Sequence, residues 1–388
     1  MNLKKINLVS DTIDQTDIER LIEWLKTNPR LTKDDETVKF EQLWSKWLGK
    51  KFSVYVNSGS SANLAMIYTI LISNKLRNKK IIVPAVSWVT TVSPTIHLGM
   101  KPILCECDKD TLGIDIDDLE RICIEENPAS LVIVHALGFP NKMKEIQDIC
   151  KKYDVILLED SCESIGSTYD GKKTGEFGLM STFSFYFGHH MSTIEGGMVC
   201  TDNEELYNLL LSIRSHGWSR DLSEKKQLIL KEKYDINDFK ALYSFFIPGF
   251  NLRSTDLQAF IGIGQMTKID KHNNIRNRNY KLYQSNIKND YWKIKDYDNQ
   301  FISNFTYPII HPKIDNIVKA LTKHNIETRP LICGNIGEQP FWIDEYYKQS
   351  FEFASIVNKY GLYLPNNHQL TENDILYICK IVNNSIKL

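Results

Sequence analysis

Residues 184–197 read SFYFGHHMSTIEGG, which sets the imidazoles of His189 and His190 between an aromatic, strand-like run and a Glu195-Gly196-Gly197 turn. Imidazole carries protons near neutral pH, so the stretch offers a general acid or base. Neighbouring side chains on a strand point to opposite faces, so one of the pair at most would face a given site, which argues against joint metal binding. A pair of hydrogen-bonded histidines beside a turn would look the same in isolation. No lysine occurs between Lys173 and Lys225.

Three more stretches could share that chemistry. YVNSGSSANLAMIYTIL reads as a strand, a small-residue turn and a helix, so Ser58, Gly59, Ser60 and Ser61 would either seat an anion on free helix amides or simply cap the helix. KIIVPAVSWVTTVSP presents Trp88 just beyond a strand's carboxyl end, where a flat ring can stack on a planar ligand or can belong to the core. DVILLEDSCESIG closes a buried apolar strand with Glu159 and Asp160. A carboxylate there needs hydrogen-bond donors or a cation, and a protonated pyridine nitrogen would serve; a helix-capping acid is the alternative.

The elements that must position these residues are legible as periodicity. DIERLIEWLKTN predicts an opening helix, and FEQLWSKWLG a second one closed by Gly49. FSVYV, KKIIVPA, KPILCECD, SLVIVHAL and DVILLED are short apolar runs separated by helical or turn-rich segments, which predicts a largely parallel sheet covered on both faces. The charged stretch from Leu222 to Asp238 is expected to be an exposed excursion. LQAFIGIGQMTKIDKHNNIRNRNYKLYQSNI is expected to be one long helix, and FTYPIIH and IETRPLI open a second set of strands.

Bulk properties narrow the partners. With 388 residues, 47 basic and 48 acidic, the formal charge is -1, which leaves no electrostatic footprint for nucleic acid or an anionic membrane and favours a small-molecule ligand. Eight scattered cysteines make no C-x-x-C pair and are expected to be buried free thiols. The amino terminus has no apolar stretch of signal-peptide length and no run approaches a membrane span, so a cytoplasmic protein is expected.

Taken in this order, the pieces resemble the sugar aminotransferase family of fold-type I pyridoxal phosphate enzymes, from the opening helix to the YGLYLPNNHQLTENDI tail. The resemblance implies an α/β fold of the aspartate aminotransferase kind, with a mostly parallel sheet between helices in a large domain (1–267) and a smaller α+β domain (268–388). In that family the opening stretch reads S-F-x-x-x-K-N before E-G-G, and its lysine is joined to the cofactor. Counting from Ser184, the lysine position holds His189. That departure matches the branch which removes the 3-hydroxyl of a nucleotide-linked 4-keto-6-deoxy sugar, a GDP-linked hexose or a related heptose, on the way to 3,6-dideoxysugars of surface polysaccharide. L-glutamate would convert pyridoxal phosphate to pyridoxamine phosphate, His189 would move the proton, and ammonia and 2-oxoglutarate would be released.

The same resemblance assigns roles one by one. Ser58, Gly59, Ser60 and Ser184 would hold the cofactor phosphate, Trp88 would stack on the ring, Asp160 would pair with its nitrogen, and Glu163 would lie near its hydroxyl or the sugar. Asn251 would reach the phosphate of a second copy in a homodimer with shared sites, and Arg253 its nucleotide end. His216 and Arg220 would contact the sugar or its diphosphate, Glu327 and Arg329 the substrate, and Pro29, Arg30 and Leu31 the nucleotide. A CDP-sugar dehydratase using an iron-sulfur cluster is disfavoured because no cysteine falls between Cys200 and Cys333. A true aminotransferase is disfavoured by the missing lysine, and a non-catalytic binder by the joint presence of Trp88, Asp160, Glu195 and the serines.

Overall fold

A computed structural model describes residues 4–387 apart from 296 and 333. Its centre is a seven-stranded sheet of β1 (Phe52–Val56), β2 (Lys80–Pro84), β3 (Lys101–Cys105), β4 (Ser130–Val134), β5 (Ile156–Asp160), β6 (Met180–Ser184) and β7 (Gly197–Thr201), in the order β1-β7-β6-β5-β4-β2-β3. All run parallel except β7, which pairs antiparallel with both β1 and β6. The apolar runs explain why the sheet is buried on both faces: Ile81 and Val83 pack with Val132 and Leu158 on one side, while Ile82 packs with Leu131, Ile133 and Leu157 on the other.

Helix α1 (Gln15–Leu25) starts at a reciprocal capping box between Asp14 and Asp17, and α2 (Asp35–Leu48) ends at Gly49 in the left-handed conformation. The first amides of α2 are satisfied from far away in sequence: the Asp256 carboxylate accepts the backbone N–H of Asp34 at 2.6 Å, Glu36 at 3.0 Å and Thr37 at 3.1 Å. Helix α3 (Gly59–Ile72) follows β1.

Two expectations are corrected. The single long helix is two, Asp256–Met266 and Ile269–Asn286. The chain bends at Lys268, whose Nζ pairs with Asp14 and Asp17 at 2.6 Å each and so draws the junction onto α1. The stretch from Leu222 to Asp238 is not a bare excursion: Leu222 is buried in the core, and Glu224–Tyr234 is a helix with no fully buried residue whose Leu230 packs against the same core. Helix propensity, the Lys231–Asp238 ion pair and the contacts of Leu230 with the core and of Tyr234 with Phe246 support it.

Beyond Lys268 the chain builds a three-stranded antiparallel sheet from Tyr307–Ile310, Arg329–Pro330 and Gly361–Leu364. Its core continues into Val86, Val134 and Phe139 of the large sheet's surroundings. Cys105, Cys107, Cys123, Cys150, Cys200 and Cys379 are buried free thiols and Cys162 is half-buried, while Cys333 lies outside the described residues. Among the described residues, no helix is long and apolar enough to cross a membrane.

Candidate active site

The carboxyl ends of β1, β2, β5 and β6 open on one cavity of about 490 Å³. Beyond β1, Ser58 caps α3, its hydroxyl accepting the Ser61 amide at 3.0 Å, so the first turn of the helix faces the cavity with Gly59 and Ser60. A Cβ on Gly59 would stand 2.5 Å from the Cβ of Ser184, so glycine is what lets the end of β6 approach the helix. Gly197 does the same from the other side, since a Cβ there would lie 2.3 Å from the Ser58 carbonyl oxygen. The Gly-Gly turn thus serves the close approach of three chain segments at a helix N-terminus, an anion cradle.

The two carboxylates that end β5 separate in role. Glu159 is fully buried away from the cavity, where it accepts from His135 Nε2 at 3.0 Å, Gly175 N–H at 2.8 Å and Gly178 N–H at 2.5 Å. The imidazole and the amides hold it below the usual carboxylate range against the opposing effect of burial. Asp160 faces the cavity; its Oδ2 accepts from Asn63 Nδ2 and Thr91 Oγ1 at 2.7 Å each, and its Oδ1 from the Cys162 amide at 3.1 Å. Glu163 accepts the Leu137 amide at 2.8 Å, and burial, aided by the negative Asp160, pushes its carboxyl up to about 8. It therefore keeps a proton at neutral pH.

His189 lines the same cavity, half-buried, with its ring 5.1 Å from that of Phe305. The pair of histidines is not on a strand as expected: β6 ends at Ser184 and both sit in the following connection. The backbone there is held at both sides of residue 189, whose N–H donates to the Tyr186 carbonyl at 2.9 Å and whose carbonyl accepts from Arg276 Nη2 at 3.3 Å. Burial, and secondarily the Arg276 cation, push the His189 imidazole down to about 4 against a smaller pull from the Cys162 carbonyl. It is neutral at pH 7, and its Nδ1 finds no hydrogen-bond partner among the described residues. His190 is fully buried and directed elsewhere, its Nε2 meeting the Ser303 carbonyl at 2.9 Å.

The structure gathers Ser58, Gly59, Ser60, Trp88, Asp160, Glu163, Ser184 and His189 around this one cavity, with Trp88 still 53% exposed and so available to a ligand face. Arg30, Arg220, Asn251 and Arg253 line a different cavity, of about 410 Å³. Asn251 and Arg253 reach it on a segment bridged to Ser215 and Val56, and Arg253 Nη2 lies 3.3 Å from His216 Nε2. Arg220 stacks over Trp218 at 3.9 Å from the ring centre. Pro29 and Leu31 flank Arg30 but line neither cavity, and nor do Glu327 and Arg329. Glu327 is instead engaged by Leu8 and Lys5, and Arg329 donates to the Thr328 carbonyl at 2.9 Å.

Several residues that build the site escaped the sequence reading. Asn63 had a signal, an amide inside the apolar helix NLAMIYTIL, and its Oδ1 also accepts from Thr182 Oγ1 at 2.6 Å. Thr91 had none. Arg276, which ties the His189 backbone to the Phe305 and Asn366 carbonyls, and the cavity residues Val9, Phe305, Ile332 and Tyr363 come from remote parts of the chain.

Comparison with known proteins places this geometry. The model of the DegT/DnrJ/EryC1/StrS aminotransferase family matches residues 11–383. The chain is similar to a GDP-4-keto-6-deoxy-D-mannose 3-dehydratase of Escherichia coli O55:H7, 34% identical over 374 residues that cover 94% of this chain and 95% of that one. It is equally similar to the protein of the same name from Yersinia pseudotuberculosis, 34% identical over 377 residues, covering 94% of each. A crystal structure of GDP-4-keto-6-deoxymannose-3-dehydratase with a trapped PLP-glutamate geminal diamine matches with a TM-score of 0.88 at 30% identity, over 97% of this chain and 100% of that one. A match of this length, on a chain whose predicted motifs converge on one cavity, means that the protein belongs to the DegT/DnrJ/EryC1/StrS aminotransferase family.

Proposed function

We propose that the protein is a pyridoxal phosphate and pyridoxamine phosphate-dependent 3-dehydratase of a GDP-linked 4-keto-6-deoxy sugar, with L-glutamate as the amino donor. The observation that carries the reading is His189: a neutral imidazole on a rigid backbone lines the cavity shared by Asp160 and the N-terminus of α3, at the position where the family stretch has its lysine. The residues present suit the coenzyme. The cradle that a Cβ at Gly59 would fill suits its phosphate, Trp88 offers a free flat face, and Asp160 has a carboxylate oriented by neutral donors with capacity left for a ring N–H. When bound, the coenzyme supplies an electron sink for the carbon next to its amino nitrogen.

The work of the chain is then defined. Ser58, Ser60 and Ser184 hold the phosphate; Asp160 keeps the ring nitrogen protonated. His189, unable to link covalently to the coenzyme as lysine does, takes and returns the proton at the coenzyme's amino-bearing carbon. Glu163, protonated at neutral pH, donates to the ring hydroxyl oxygen or to the sugar. The 3-hydroxyl of the sugar would depart as water, taking a proton that His189 can supply; with no lysine to recapture the coenzyme, the sugar would leave carrying the nitrogen, and its hydrolysis would give ammonia and a 4-keto-3,6-dideoxy sugar beside the 2-oxoglutarate formed from glutamate. The cytoplasmic setting expected from the sequence goes with a nucleotide-sugar substrate.

The active unit in this reading is a homodimer. Asn251, Arg253 and Arg220 line a cavity other than the one that holds His189 of their own chain, and in this reading a second copy brings that basic cavity against the first. Incubation of the protein with coenzyme, glutamate and a panel of nucleotide-linked 4-keto sugars tests the function. Mass loss of one sugar oxygen with release of ammonia and 2-oxoglutarate supports it. An amino sugar without ammonia would make the protein an aminotransferase, and no turnover with any member would make it a binder.

A further inference from the structure

Residues 6–9 form a strap fixed at both ends, of which Val9 lines the active cavity. On one side Ile6 N–H donates to the Asn325 carbonyl at 3.0 Å and the Ile6 carbonyl accepts the Glu327 N–H at 3.0 Å, one parallel bridge onto the edge of the small domain. The Glu327 side chain then reaches over the strap. Its Oε2 accepts the Leu8 N–H at 2.9 Å and its Oε1 pairs with Lys5 Nζ at 2.9 Å. On the other side the buried Thr12 hydroxyl accepts the Ser192 N–H at 2.9 Å, three residues beyond His189. Between these anchors Val9 lines the cavity opposite Gly188, whose added Cβ would come within 3.6 Å of Val9 Cγ1. Two residues past Glu327, Arg329 pairs in register with Tyr363, another residue of the cavity wall.

We propose that Glu327 is a positioning residue for substrate binding: by clamping the Leu8 amide and the Lys5 ammonium it holds Val9 as the wall of the cavity beside His189. The Leu8 amide has the Glu327 carboxylate as acceptor and the segment has no helix or sheet ladder of its own; its other ties are the Ile6 bridge, the Asn7 carbonyl accepting from Asn367 Nδ2 at 3.2 Å, the Lys4–Asp374 ion pair and Thr12, none of which holds the Leu8 amide that precedes Val9. The clamp touches no reacting atom. Its loss acts on ground-state and transition-state binding alike, which raises KM and leaves kcat in place.

The reading of function above underlies the kinetic part of the test, and a proteolytic part is independent of it. In the full-length protein, trypsin cleavage after Lys5 is followed by mass spectrometry. Glu327→Ala is expected to speed it about tenfold or more, the loss of a hydrogen bond to a charged group, whereas Glu327→Gln, whose amide oxygen can still accept the Leu8 N–H, stays near the parent rate. With the nucleotide sugar, Glu327→Ala is expected to raise KM about tenfold with kcat within about twofold, and Val9→Ala to raise KM with no change in cleavage. Should Glu327→Ala fold poorly, Lys5→Ala, which strips one half of the clamp and with it the cleavage site, is read by KM alone and gives a smaller rise in the same direction. Unchanged cleavage in Glu327→Ala, or a fall in kcat at constant KM, overturns the proposal. An inactive parent protein with a faster-cleaved Glu327→Ala would instead overturn the assigned reaction and leave the strap standing.

Discussion

Gly59 and Ser184 meet across the phosphate cradle so closely that a single added methyl on the glycine would sit 2.5 Å from the serine Cβ. Gly59→Ala is therefore expected to push β6 from α3 and weaken coenzyme binding about tenfold or more, with only a modest change in the melting temperature of the coenzyme-free protein. Titration with pyridoxal phosphate measures it, and unaltered affinity would show that the anion sits elsewhere.

His189→Lys places an amine where the cavity holds an imidazole. The variant is expected to lose dehydration by about 10²-fold or more and to retain the coenzyme covalently after borohydride reduction, seen as a mass increase on the intact chain. His190→Ala, altering a ring that meets Ser303 outside the cavity, should cost far less activity. Equal losses would reverse the two assignments.

The raised Glu163 carboxyl makes a signed prediction about pH. Its folded value is about 8 against an ordinary 4.5, so between those limits the unfolded chain gives up a proton that the folded chain keeps, and stability falls as pH rises through the window. The measurement belongs above pH 6.5, the ordinary histidine value, because His189 is pushed the other way and titrates below it. Melts of the coenzyme-free protein from there to pH 8 should lose stability on the order of a kcal/mol or two, and Glu163→Gln should flatten the slope.

The proposed sharing of sites between two copies has a simple readout. His189→Ala and Arg253→Ala dimers should each be nearly inactive, and a mixture refolded together should recover about a quarter of the parent activity, because half of the dimers then carry one intact site. No recovery would mean that each chain completes its own site.

These predictions rest on residues that were legible to very different degrees. Asp160 and Ser58 stand at or just past the ends of short apolar strands that the sequence displays, and a parallel sheet delivers strand ends to one edge; the sequence reads Ser184 as opening a strand-like run rather than closing one, and its place beside them comes from the family resemblance. The bend at Lys268 was not legible, because its cause is an ion pair with Asp14 and Asp17 about 250 residues away, and the helical pattern runs through it unbroken. Glu327 shows the limit most clearly. The family resemblance implies Glu327 itself as a substrate contact; in this structure both of its oxygens go to the amino-terminal arm, and no local pattern records a partner at that separation.

The identity of residue 189 is decoupled from the scaffold that presents it. Its amide and its carbonyl are secured by Tyr186 and Arg276 without any help from the imidazole, and the ring fills space that opens on the cavity. A one-residue exchange there can redirect the fate of the nitrogen without refolding anything around it, so reaction type in such a protein can diverge faster than architecture.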